Sequence, residues 1–132
     1  MIFVDSNVLI DVTTDGPHGG EWSKRAMDHA KATDELCASD IVYAELAYGY
    51  KAFEELDAAL EPMRIKIVPA PRAALFLAGH AYKHYRERGG TKAGVLPDFL
   101  IGAHAAVEGA MLLTRDPQRV RSYFPTVALI TP

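Results

Sequence analysis

Short runs of consecutive apolar residues alternate along the chain with longer stretches in which apolar residues return every three or four positions. The short runs are Ile2-Phe3-Val4, Leu36-Cys37-Ala38, Ile65-Lys66-Ile67-Val68, residues 110–113 and residues 127–130. Their brevity and their content of Val, Ile and Leu predict strands. Residues 20–33 carry Trp22, Ala26, Met27 and Ala30 at helical spacing. Ser39 or Asp40 can cap a helix over about 41–51, continued through Phe53, Leu56 and Leu60 as far as Pro62. Leu75, Ala78, Tyr82 and Tyr85 predict a helix over 72–88 that Gly89-Gly90 ends. After a loop to Leu96, Pro97 suits the first turn of a helix to about Glu108, and 117–123 can form a short one. Short apolar strands between helices predict an α/β fold: a parallel central sheet in a three-layer α/β/α domain. In such sheets ligands bind at the carboxyl ends of the strands, near a switch in strand order.

Length and composition narrow this reading. A chain of 132 residues, 49% hydrophobic and 23% charged, fits one globular domain over 1–132. Its start has no basic stretch and only a short apolar run, so a cytoplasmic protein is expected, without a signal sequence or membrane span. Cys37 alone can form neither an internal disulfide nor a zinc site, and reads as a small buried residue. The net charge of -3 conceals an asymmetry: residues 1–62 carry -9 and residues 63–132 carry +6. Lys83, Arg86, Arg88 and Lys92 are grouped closely enough to meet a phosphate backbone, although such a group is also what a solvated helix end looks like.

Four carboxylates stand apart from the other acids by their apolar settings. Glu45 is the sole charged residue between Ile41 and Tyr50, on a helix that reads as apolar nearly all round. Asp5 ends an apolar strand, Asp98 opens Phe99-Leu100-Ile101, and Asp116 follows the strand ending at Leu113. Each has an alternative role, as a helix cap, a complement to a helix dipole or an ion-pair partner. Gathered in one cleft they need cations. Two carboxylates about 4 Å apart repel by roughly 4 kcal/mol at an effective dielectric near 20. All-oxygen ligands favour Mg²⁺, or Mn²⁺ as a substitute, over zinc. His80 and His84, four residues apart, lack a third ligand and read as helix surface.

Taken in order, four segments resemble the PIN-domain nucleases, most closely the VapC-type toxins of bacterial toxin–antitoxin pairs. They are Asp5-Ser6-Asn7-Val8-Leu9-Ile10, Ala44-Glu45-Leu46-Ala47-Tyr48-Gly49, Pro97-Asp98-Phe99-Leu100-Ile101-Gly102-Ala103 and Thr114-Arg115-Asp116-Pro117. Gly102 stands where the family pattern has an alanine. The resemblance implies a Mg²⁺-dependent endoribonuclease in which Asp5, Glu45, Asp98 and Asp116 are the catalytic and metal-binding residues. Asn7 and Thr114 would orient the acids. It further implies metal-activated water as the nucleophile, an RNA substrate, an antitoxin protein partner and a homodimer. The alternatives are a PIN-domain nuclease of RNA processing without a toxin role, and a phosphatase of the haloacid-dehalogenase type. The latter is disfavoured because Asn7 stands where that motif needs a second Asp.

Overall fold

In the computed structural model, residues 1–14 and 20–132 are described. Among them are five strands: β1 (Ile2–Val4), β2 (Leu36–Ser39), β3 (Lys66–Val68), β4 (Met111–Leu113) and β5 (Leu129–Ile130). They form one parallel sheet in the order β3-β2-β1-β4-β5. The chain steps outward from β1 through β2 to β3, then returns to the other side of β1 for β4. The order therefore reverses between β1 and β4, which pair in register as Ile2↔Met111, Phe3↔Leu112 and Val4↔Leu113.

The helices are α1 (Ser6–Thr14), α2 (Gly20–Thr33), α3 (Asp40–Leu46), α4 (Phe53–Leu60), α5 (Arg72–Glu87), α6 (Leu96–Glu108) and α7 (Gln118–Tyr123). Right-handed crossovers between parallel strands put α1, α2 and α4 on one face of the sheet. The reversed direction after β3 puts α5, α6 and α7 on the other, giving the expected three-layer α/β/α architecture. Phe3, Val4, Cys37, Ala38, Leu112 and Leu113 are fully buried at its centre, as two covered faces require. Burial and the neighbouring Glu35 push the Cys37 thiol up to about 11, so it serves as a small apolar residue. Among the described residues no helix is long and apolar enough to cross a membrane.

Two expectations are corrected. Residues 6–14, which the apolar pattern did not single out as a helix, form α1. Its Asn, Thr and β-branched residues are weak helix formers, and burial of Val8 and Leu9 sustains it. The helix expected over 41–51 stops at Leu46, passes through a 3-10 turn (Ala47–Gly49) and becomes extended at Tyr50, so α4 is separate. Nor is α3 apolar all round: Val42 and Leu46 are buried, whereas Ala44 is exposed and Tyr48 is 97% exposed.

Two polar contacts anchor the elements that frame the strand-order switch. The Oγ of Ser39 accepts from the Ile41 backbone N–H at 3.3 Å, capping α3, and lies 2.9 Å from Nδ1 of His104 on α6. His104 is fully buried with its ring 4.6 Å from that of Phe3, and burial lowers its pKa, which favours the neutral imidazole. The α5 end follows the expected glycine stop: Gly89 has φ +87°, and the Gly90 N–H donates to the Tyr85 carbonyl at 2.8 Å.

Gly102 has a packing reason. A Cβ there would lie 2.6 Å from the buried ring of Phe124, so α6 meets α7 more closely than alanine permits. Gly102→Ala is therefore expected to lower stability by up to about 2 kcal/mol, since an overpacking cost of about 1–3 kcal/mol opposes a helix-propensity gain of about 1 kcal/mol. Thermal unfolding measures it, and Phe124→Leu in the same chain should recover part of the loss.

Candidate functional site

β1 ends at Val4 and delivers Asp5 to the carboxyl edge of the sheet beside the end of β4, where the strand order reverses. The Asp5 backbone N–H donates to the Leu113 carbonyl at 2.9 Å, and its own carbonyl accepts from Val8 and Leu9 as α1 begins. Asp5 thus sits at the helix cap, as one alternative reading had it. Its side chain does something else. Oδ1 accepts from the Ser6 backbone N–H at 2.7 Å, and Oδ2 accepts from the hydroxyl of the buried Thr114 at 2.8 Å. Asn7 Nδ2 lies 3.4 Å from Asp5 Oδ2 and 3.3 Å from Thr114 Oγ1, while Asn7 Oδ1 accepts from the Arg115 backbone N–H at 3.2 Å. The Asp116 N–H donates to Thr114 Oγ1 at 3.0 Å. Asn7 and Thr114 each touch Asp5 and the segment that bears Asp116.

The other acids approach from two helices. Glu45, on α3, accepts from Ser6 Oγ at 3.0 Å, and that hydroxyl also lies 3.4 Å from Asp5 Oδ1, so Ser6 links the two carboxylates. Asp98 is in the first turn of α6, where the helix dipole favours an anion. Asp5, Asp98 and Asp116 line one cleft of about 150 Å³ with Ser6, Asn7 and Arg119. Arg119 Nη1 donates to Asp98 Oδ2 at 2.6 Å and occupies the side of the cleft nearest α7. Asp116 is exposed at the cleft mouth, so the apolar strand before it does not bury its charge.

This fold agrees with the comparisons with known proteins. The PIN domain model matches residues 2–123. The chain belongs to the PIN-domain family. No curated protein matches it significantly. Similar solved structures include VapBC2 of Rickettsia felis bound to a promoter DNA fragment, at 23% identity and TM-score 0.74 over 99% of this chain and 98% of that one. A toxin–antitoxin complex of Klebsiella pneumoniae gives 22% identity and TM-score 0.71 over 100% and 98%. VapBC-1 of nontypeable Haemophilus influenzae gives 20% and 0.72 over 99% and 98%.

The electrostatics of this PIN domain bear on whether its acids suit a metal. Burial raises the pKa of Asp5 most, with a further rise from Asp98, against lowering by Thr114 and the Ser6 N–H. Burial is also the main cause at Glu45, where Asp5 and Asp98 add to the rise and the Ser6 hydroxyl opposes it. Asp98 is raised by burial and by Asp116 and held down by Arg119 and Lys92. Carboxylates that destabilise one another's charge in a concave, oxygen-lined cleft fit a hard divalent cation, which removes the repulsion. Among the described residues, no three His, Cys, Asp or Glu side chains are gathered tightly enough to enclose an ion as they stand. The donor set suits the cation, but ligation requires side-chain rotation or bridging water. His80 and His84 are exposed on α5, as expected of helix surface.

Several residues escaped the sequence reading. Ser6 was read only as part of a motif. Asp11 on α1 is 5% exposed and forms a two-point ion pair with Arg115, at 2.5 Å to Nε and 3.1 Å to Nη2, while Ser23 of α2 donates to it at 2.6 Å. This pair ties α1 to the segment carrying Thr114 and Asp116. Its one sequence signal is an acid among Val8, Leu9, Ile10 and Val12. Arg119 had no signal distinguishing it from Arg121.

The raised Glu45 pKa has a measurable consequence. In the folded chain, ionised Glu45 is disfavoured above its ordinary value of 4.5, so its cost to stability is fully present above the folded pKa and disappears as pH falls below the unfolded one. Without divalent metal, Glu45→Gln should match or exceed the wild-type melting temperature at pH 7, with the difference shrinking towards pH 4.5. A variant that melts lower by the same margin across that range would show that the carboxylate stabilises the fold.

Proposed function

We propose that this chain is a Mg²⁺-dependent endoribonuclease, with Asp5, Glu45, Asp98 and Asp116 as its active site and with the toxin's role in a toxin–antitoxin pair. The observation that carries the reading is the meeting of Asp5, Asp98 and Asp116 in one cleft at the strand-order switch, with Glu45 joined to Asp5 through Ser6. Membership of the PIN-domain family supports nucleic-acid hydrolysis. The toxin role and an antitoxin partner are supported by structural likeness to toxin–antitoxin complexes of Rickettsia felis and Klebsiella pneumoniae. A homodimer, a single domain over 1–132 and a cytoplasmic location belong to the same proposal.

Asp5, Asp98 and Asp116 would hold Mg²⁺, or Mn²⁺ in its place, with Glu45 reaching it through water. Bound there, the cation supplies charge neutralisation for the phosphate and a lower pKa for water. The protein's part is orientation. Thr114 and Asn7 hold Oδ2 of Asp5, and the Ser6 N–H holds Oδ1, so this carboxylate meets substrate in one fixed pose. Glu45 is half-buried with a pKa raised like those of Asp5 and Asp98, and with the three aspartates placed as ligands it would be the group that takes the proton from attacking water. Arg119 keeps Asp98 charge-compensated before substrate arrives and is a positive group next to the incoming phosphate. The resemblance to the PIN-domain nucleases implies 5′-phosphate and 3′-hydroxyl ends on the products.

Purified protein incubated with cellular RNA and MgCl₂ tests the reading. Cleavage should require the metal, stop with EDTA and fall at least about 100-fold in Asp98→Asn. Asp98→Asn cutting at the wild-type rate would refute the site. Separately, MgCl₂ should raise the melting temperature of the wild type at pH 7 and raise that of Asp98→Asn much less, because only a ligand held by the native state stabilises it.

A further inference from the structure

A second cavity, of about 240 Å³, adjoins the carboxylate cleft between α5, α7 and the loop after α5. It shares Asp116 and Arg119 with that cleft, so the two are neighbours across these side chains. Its wall is aromatic: Tyr85 and Tyr123 meet edge to face with centroids 6.3 Å apart, and both rest on the buried Phe99 at 5.5 and 5.1 Å. Its rim is cationic. Lys92 and Arg119 line it, and Arg119 lies 5.7 Å from the Tyr85 ring centre; Arg88, outside the lining, lies 5.8 Å from that of Tyr123. The loop is built against the wall, since the Lys92 N–H donates to the Tyr85 hydroxyl at 3.1 Å and a Cβ on Gly90 would lie 2.5 Å from the Tyr85 ring.

We propose that this cavity binds one unpaired nucleotide of single-stranded RNA, next to the phosphate presented to the carboxylates, with its base on the Tyr123 side of the aromatic wall and its own phosphate at Lys92. The inference deepens the ribonuclease reading and rests on it for the reaction, though not for the binding. Aromatic faces interleaved with Lys and Arg are the arrangement that takes splayed bases without strong sequence preference, since every base presents a π face. A duplex keeps its bases stacked and cannot offer one to a concave pocket. Lys92 and Arg119 also offset the carboxylates, which would otherwise repel a polyanion from this end of the cleft. Phosphate binding by the basic group around α5 is thereby narrowed to Lys92, with Arg88 held over Tyr123.

The test uses a fluorescein-labelled octauridylate with the full chain in EDTA, so that binding is read by anisotropy without cleavage. Lys92→Ala, an exposed change that spares the core, should weaken binding several-fold at low salt and flatten the log–log salt dependence by about 0.7. Tyr123→Leu should weaken it at least about 5-fold. In an abasic scan, one position should lose affinity in the wild type and lose nothing further in Tyr123→Leu. Wild-type affinity and salt slope in both variants would overturn the proposal, as would an octauridylate that does not bind or an abasic scan with no special position. The two readings fail separately. Binding as described without RNA cleavage keeps the subsite and removes the hydrolase; cleavage with both variants binding like wild type removes the subsite alone.

Discussion

Parallel pairing of β1 with β4 is the constraint on which the rest of this molecule depends. These two strands are adjacent in the sheet and about a hundred residues apart in the chain, and each runs straight into a chemistry-bearing segment at its carboxyl end. Their register sets the Asp5 N–H on the Leu113 carbonyl, so that the buried Thr114 hydroxyl reaches the Asp5 side chain. A slip by one residue would turn the apolar side chains of β1 to the opposite face and break both contacts. Asn7 and the Asp11–Arg115 pair then secure α1 against the segment after β4. The pose of the first carboxylate is thus a property of strand pairing and not of a loop.

A site assembled in this way is electrostatically costly. Asp5, Glu45 and Asp98 are all raised in pKa, mainly by burial and partly by neighbouring carboxylates. Arg119 offsets part of that cost from within the chain, pairing with Asp98 while resting beside the Tyr85 and Phe99 rings. It lies between the acidic cleft and the aromatic cavity.

The acids were readable because charge in an apolar run is unusual, and a helix or strand otherwise fit for burial has few reasons to carry one. Glu45 is the clearest case, although its setting was overstated: α3 is short, with one buried side, and Glu45 stands at the edge of that side. Asp116 was found through its motif and its strand, yet it is exposed. Helix α1 was missed because its residues are poor helix formers individually, and only contact with the sheet and α2 sustains it. Gly102 looked like a minor departure from a family pattern until the Phe124 ring was found where a methyl group would go.

The amino-acid sequence by itself determined the parallel α/β class and the approximate strands and singled out the four acids as candidates, because hydrophobic periodicity and isolated charge are local properties. It also determined the family, since four short motifs kept their order. Only the tertiary structure decided which neighbours those acids have: Ser6 between Asp5 and Glu45, Arg119 on Asp98, and Asp11 paired with Arg115. These contacts join residues between 21 and 104 positions apart, apart from the local Ser6–Asp5 contact. No pattern along the chain encodes such meetings, because they depend on strand order and on the hand of the crossovers. The aromatic cavity beside the carboxylates has the same origin. Tyr85, Lys92 and Tyr123 lie on different elements, and packing against Phe99 brings the two rings together.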